Sequence, residues 1–199
     1  MNEHEKVDKT RRNLVVATSV VGGAVGLGAA APFVASMWPS ERARAAGAPI
    51  EVDVSRIAPG ELAVFEWRGK PVWVLRRTQE MIASLKTIEP RLSDPKSKAS
   101  EQPTYAENEH RSAKPDLLVL VGVCTHLGCS PQEKPAEAKA EMGADWPGGF
   151  YCPCHGSKFD FAGRVFNGSP APTNLVVPPY TVVSDNKVVI GEDEKTKGA

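Results

Sequence analysis

The chain has 199 residues, with 24 basic and 24 acidic side chains and a formal net charge of zero. That length fits one ordinary domain plus an extension, and 41% hydrophobic with 24% charged residues excludes wholesale disorder. Zero net charge argues against a nucleic-acid binder that works through a broad basic surface. Gly and Pro at 17 each favour turns over long soluble helices. The four cysteines all fall between Cys124 and Cys154.

From Asn13 to Ser40 there is no charged residue, and Leu14 to Trp38 is almost wholly apolar or small. A helix over 14–38 would reach about 37 Å, against a hydrocarbon core of about 30 Å. A cleaved secretory peptide has a shorter apolar region, so a retained anchor is expected, although Ala43-Arg44-Ala45 also reads as a cleavage site. The stretch from Thr10 to Val15 (T-R-R-N-L-V) resembles a twin-arginine export signal, which implies translocation of an already folded domain. Read as a plain basic flank, it still puts residues 1–13 in the cytoplasm. Gly22 and Gly26 form a G-x-x-x-G pair, a weak helix-contact signal.

Residues 39–48 are small, polar and charged, and read as a flexible linker to a domain over 49–199. Ile50, Val52 and Val54 alternate with polar residues. Leu62–Trp67, Val72–Arg76 and Leu117–Val123 are strand-like runs bounded by turn residues. Thr78 to Leu85 predicts one short helix capped by Thr78. Residues 86–115 are polar and proline-bearing, and predict a long surface insertion. Further short strands are expected at Leu175–Val177, Tyr180–Val183 and Val188–Ile190, with Asp185-Asn186 as a hairpin turn. The soluble part is therefore expected to be mainly antiparallel β.

Two short boxes carry the chemistry: C-T-H-L-G-C from Cys124 to Cys129, and C-P-C-H-G-S from Cys152 to Ser157. Thiolate and neutral imidazole are soft and borderline metal ligands, and Gly128 and Gly156 let the backbone turn tightly. Two disulfides with incidental histidines suit an oxidising compartment but leave the paired His positions unexplained. A Cys2His2 zinc site leaves Cys129 and Cys154 without a role. The third reading is a 2Fe–2S centre in which two histidines replace two cysteines on one iron.

The boxes, together with Trp67–Trp73 (W-R-G-K-P-V-W), His110–Pro115 (H-R-S-A-K-P) and Pro170–Leu175 (P-A-P-T-N-L), make the chain similar to the Rieske subunit of bacterial ubiquinol–cytochrome c reductase. The resemblance covers nearly the whole chain. It implies a Rieske-type antiparallel β-sandwich with a small cluster-binding subdomain at about 117–179, plus one N-terminal transmembrane helix. It further implies that Cys124 and Cys152 hold one iron and His126 and His155 the other. Cys129 and Cys154 would form the disulfide joining the loops, with Pro170-Ala171-Pro172 as a third cover. Leu127 would shield the cluster at the docking tip, and Ser157 would donate to a bridging sulfide. Where many relatives place a tyrosine whose hydroxyl donates to a ligand sulfur, this chain has Phe159.

The function implied is electron transfer. The cluster takes an electron from membrane ubiquinol, His155 accepts the quinol hydroxyl's hydrogen bond and carries the proton, and a c-type cytochrome receives the electron. The implied partners are a b-type and a c-type cytochrome subunit in a dimeric multisubunit complex of a bacterial inner membrane, with the soluble domain on the periplasmic side. A Rieske small subunit of a periplasmic molybdenum oxidase is the alternative, and a zinc-binding module a more distant one. The Rieske domain of an aromatic-ring dioxygenase fits neither the anchor nor the second Cys of each box.

Overall fold

In a computed structural model, Asp8 to Asp193 are described, so residues 1–7 of the expected cytoplasmic segment lie outside the described residues. Two compact units are present, one ending at Ala45 and the other beginning at Ala46.

The first unit is dominated by α1 (Lys9–Ser36), a helix of 28 residues with a mean hydropathy of 1.9 across its most apolar window. At 1.5 Å per residue it reaches roughly 42 Å, long enough to cross a hydrocarbon core with some tilt. It is the one described helix long and apolar enough to do so. Asp8 caps it, its carboxylate accepting from the Thr10 and Arg11 backbone N–H groups. The apolar side chains of α1 are all exposed within the unit, as those of a lipid-facing helix must be. Part of the linker is helical: α2 spans Glu41–Ala46, with Ser40 Oγ accepting from the Ala43 N–H.

Among the described residues of the second unit, nine strands form three antiparallel sheets of three. β1 (Ile50–Asp53), β8 (Tyr180–Ser184) and β9 (Lys187–Ile190) pair in the order β1-β9-β8. β2 (Leu62–Trp67), β3 (Lys70–Arg76) and β4 (Leu117–Val121) form a meander. β5 (Gln132–Lys134), β6 (Gly149–Cys152) and β7 (Ser157–Phe159) form the smallest sheet. A single apolar core joins them, running from Val52 and Ile190 through Val74 and Leu120 to Phe150 and Phe159. β4 reads L-L-V-L-V because it is covered on both faces and has no solvent side to mark with polar residues.

The helix α3 (Gln79–Thr87) starts where expected, with Thr78 Oγ1 accepting from the Met81 N–H at 3.3 Å. The turn at Asp185-Asn186 joins β8 to β9. Two expectations need revision. Leu175–Val177 is not a strand; it runs as irregular chain pinned by Leu175 N–H to Gly163 O and Val177 N–H to Glu101 O. The 86–115 insertion is not confined to the surface, because Leu92, Ser97, Ala106, Arg111 and Ser112 are buried. Arg111 within it and Arg77 just before α3 satisfy carbonyls that no strand uses. Arg111 Nη1 donates to Ala162 O at 3.1 Å, and Arg77 Nη1 to His110 O and Phe161 O. Burial pushes both guanidinium groups down, to about 10.

Gly122, which follows β4, lies flat against the Trp73 indole, and a Cβ there would overlap the ring. Gly122→Ala is therefore expected to cost about 1–3 kcal/mol through forced repacking, read as a lower urea midpoint at unchanged m-value.

Candidate metal centre

The two boxes fold into turns of one design. β4 delivers Cys124, whose carbonyl accepts from the Gly128 N–H at 3.0 Å, while its own N–H donates to Cys129 O at 2.8 Å. In the second box, Cys152 ends β6 and Ser157 opens β7 as its cross-strand partner. The Cys152 carbonyl accepts from the Gly156 N–H at 2.9 Å. Each turn thus closes on the glycine four residues after its first cysteine, and both glycines have φ of +83°. That left-handed backbone is strained for any residue with a Cβ.

Closing the turns sorts the side chains by depth. Cys124 and Cys152 are each 2% exposed and carry free thiols. Burial pushes the Cys152 thiol up, and the Cys124 thiol beside it adds to the shift. Further out, Cys129 and Cys154 form a disulfide that ties one turn to the other. Its two sulfurs and the Cys152 sulfur lie within 4.8 Å of one another, but only Cys152 among them can offer a thiolate. His126 and His155 meet edge to face with ring centroids 4.8 Å apart. His155 is exposed, and so, at 71%, is Leu127, the residue after His126.

A third segment covers the pair. Thr125 Oγ1 donates to Thr173 O at 2.7 Å, and the Ala171 N–H donates to Ser157 Oγ at 3.1 Å. Ser157 is fully buried, and with its oxygen occupied by that bond its own proton remains available to a further acceptor. Phe159 lies two residues along β7 and so shares the face of Ser157, fully buried. The structure thus gathers Cys124, His126, Leu127, Cys129, Cys152, Cys154, His155 and Ser157 around one point of the fold.

Sequence reasoning missed Thr125 and Ser130, whose hydroxyls brace the first turn against Thr173 O and Gly122 O. A hydroxyl between two candidate ligands was the available signal. Two buried thiols and two imidazoles, brought by two braced turns, fit the donor set of a Cys2His2-ligated iron–sulfur group.

Comparison with known proteins agrees with that chemistry. Residues 95–181 match the family described as "Rieske [2Fe-2S] domain", and residues 1–40 match "Ubiquitinol-cytochrome C reductase Fe-S subunit TAT signal". Fold and site together define a Rieske [2Fe–2S] protein with a twin-arginine leader segment. Over 94% of its length the chain is 55% identical to the ubiquinol-cytochrome c reductase iron-sulfur subunit of Allochromatium vinosum, covering 91% of that protein. It is 43% identical to that of Bradyrhizobium diazoefficiens over 92% of its length, covering 94% of the relative. A chain of a solved hyperthermophilic respiratory Complex III aligns with 31% identity and a TM-score of 0.48, covering 87% of this chain and 98% of that one. The chain belongs to the family of ubiquinol–cytochrome c reductase iron–sulfur subunits.

The disulfide spans a sequence separation of 25, for which the chain-entropy model gives about 3 kcal/mol. Replacing Cys129 and Cys154 together by serine is expected to lower stability by about that amount. The check is the denaturation midpoint of the double variant beside that of the unsubstituted chain.

Proposed function

We propose that this chain is the electron-carrying subunit of a bacterial quinol–cytochrome c reductase. In this reading Cys124 and Cys152 hold one iron of the cluster, and His126 and His155 hold the other. The observation that carries it is the sorting by depth: two free thiols buried side by side, two imidazoles meeting outside them, and a disulfide clamping the turns. When bound, the cluster supplies a one-electron acceptor whose potential is raised because two neutral imidazoles replace two thiolates.

The residues of the chain do the rest. His155 is exposed at the tip, so its outer ring nitrogen accepts the hydroxyl hydrogen bond of ubiquinol and then holds the proton. Leu127, exposed directly after His126, gives the tip an apolar side chain that excludes water from that hydrogen bond. Ser157, its oxygen already accepting from the Ala171 N–H, would offer its proton to a sulfur of the bound cluster. The partners in this reading are a b-type cytochrome, which presents the quinol, and a c-type cytochrome, which takes the electron, within a dimeric multisubunit complex. With α1 in the bacterial inner membrane and residues 1–13 in the cytoplasm, the domain from 49 onward works on the periplasmic side.

The test begins with composition and spectrum. The full chain is expected to hold iron and labile sulfide in equal amounts and to give a Rieske electron paramagnetic resonance signal. A colourless, zinc-bearing, redox-silent protein overturns the reading. Cys124→Ser, Cys152→Ser, His126→Ala and His155→Ala are each expected to abolish the signal, since each leaves an iron short of a ligand. A signal that survives in any of them overturns that assignment.

Phe159 sets a second expectation. Its ring shares the Ser157 face of β7, but it cannot donate to a ligand sulfur. A donor there favours the reduced form, because the added electron makes sulfur more negative. At ~1 kcal/mol for such a bond the difference is ~40 mV for one electron. Phe159→Tyr is expected to raise the midpoint potential by some tens of millivolts, and Ser157→Ala to lower it. Protein-film voltammetry reads both; an unchanged or lowered potential in Phe159→Tyr defeats the expectation.

A further inference from the structure

Behind the cover segment sits a side chain that no part of the electron-transfer reading uses. Asn174 follows Pro170-Ala171-Pro172-Thr173 directly and is fully buried. Its Oδ1 accepts from the Val165 N–H at 2.8 Å. Its Nδ2 donates to Asp94 O at 2.9 Å and to Ser97 Oγ at 2.8 Å. Its backbone N–H donates to Ser100 Oγ at 3.1 Å, and that hydroxyl in turn donates to the Asp94 carboxylate at 2.9 Å. One residue thus joins the 94–100 part of the insertion, the chain after β7, and the cover. Such a buried amide, with its oxygen and both amide hydrogens engaged, has one orientation and transmits displacement instead of absorbing it.

The next links lead to the site. Three residues before Asn174, the Ala171 N–H donates to Ser157 Oγ; one residue before it, Thr173 O accepts from Thr125 Oγ1. We infer that Asn174 is a positioning residue: it locks the cover to the 94–100 segment and, through the Ala171 N–H, orients the Ser157 hydroxyl. This deepens the reading of the site as a cluster centre and rests on it for its effect on potential. Without the Asn174 side chain, the cover keeps its two front contacts and the single backbone tie from the Asn174 N–H to Ser100 Oγ. The Val165 N–H and Ser97 Oγ lose their partners, and relaxation of the cover draws Ala171 away from Ser157. The Ser157 hydroxyl is then free to turn from its donor orientation. The 94–100 segment contributes no residue to either box, and Asn174 carries its side-chain bonds to the cover.

The test uses the full chain carrying Asn174→Ala, and Ser100→Ala as a milder variant that removes a single tie. Two quantities are measured on each: the hydrogen-exchange rate of the Ala171 amide and the midpoint potential. Exchange at Ala171 is expected to quicken at least about tenfold, the ratio that about 1.4 kcal/mol of lost local stability produces. The potential is expected to fall in both variants, less in Ser100→Ala. In a Ser157→Ala background, Asn174→Ala is expected to lower the potential no further, because the group it acts through is gone. An unchanged Ala171 exchange rate overturns the inference. So does a fall in potential of the same size with and without Ser157, which a general loosening of the fold would give. If Asn174→Ala does not accumulate, Ser100→Ala decides on the same readouts. Should the unsubstituted chain hold no cluster, the electron-transfer reading fails, whereas the lock is still judged by Ala171 exchange.

Discussion

Four cysteines crowd into one small volume, and everything at the tip depends on only two of them pairing. The Cys129–Cys154 bond has a third sulfur, Cys152, within 4.8 Å, so proximity alone does not select the partners. Selection comes from the backbone. Each turn closes on its glycine and holds its first cysteine at the end of a buried strand, facing inward, while the later cysteine is left on the outer side. A wrong pairing, Cys124 with Cys152, would oxidise the two buried thiols and leave the outer ones free. A twin-arginine route, which moves a finished domain, suits a site in which two thiols must stay reduced next to two that must not.

That constraint explains how rigidly the turns are built in. The floor is β4, covered on both sides, and the β6–β7 hairpin, whose Phe150 and Phe159 enter the common core. The roof is the 170–174 segment, bonded to both turns and to the insertion. The electrostatic cost falls elsewhere. Arg77, Arg111 and Arg164 are buried behind the site, with Asp160 the buried carboxylate among them, bonded to Arg164 at 2.7 Å. Backbone carbonyls at Leu85, Phe161 and Ala162 are among the other acceptors, so irregular chain is stabilised by guanidinium groups where no sheet ladder exists.

The boxes were the most legible part, because ligand chemistry demands particular residue types at short spacing. The long strands were legible too, since β2, β3 and β4 carry enough apolar residues to show a pattern. β5, β6 and β7 escaped for the opposite reason. They have three or four residues each, one contains a glycine, and their pairing is imposed by the turns they flank. The insertion misled in another way. Arg111 and Ser97 look like surface residues, yet the acceptor and donor that bury them, Ala162 O and Asn174 Nδ2, lie 51 and 77 residues away. Composition has no access to partners at that range.

The soluble unit is gripped at its entrance by Trp67, whose indole N–H donates to Ala48 O at 3.1 Å and whose ring lies against Gly191 just beyond β9. Tension arriving along the linker is therefore delivered at Ala48 and shared between β2, through Trp67, and β1, which begins two residues later and is zipped to β9 in register from Ile50 with Ile190 to Asp53 with Lys187. None of these strands carries a residue of either box. The strands at the entrance and the strands that lead into the boxes are thus different ones, with β2 reaching β4 only through β3 between them.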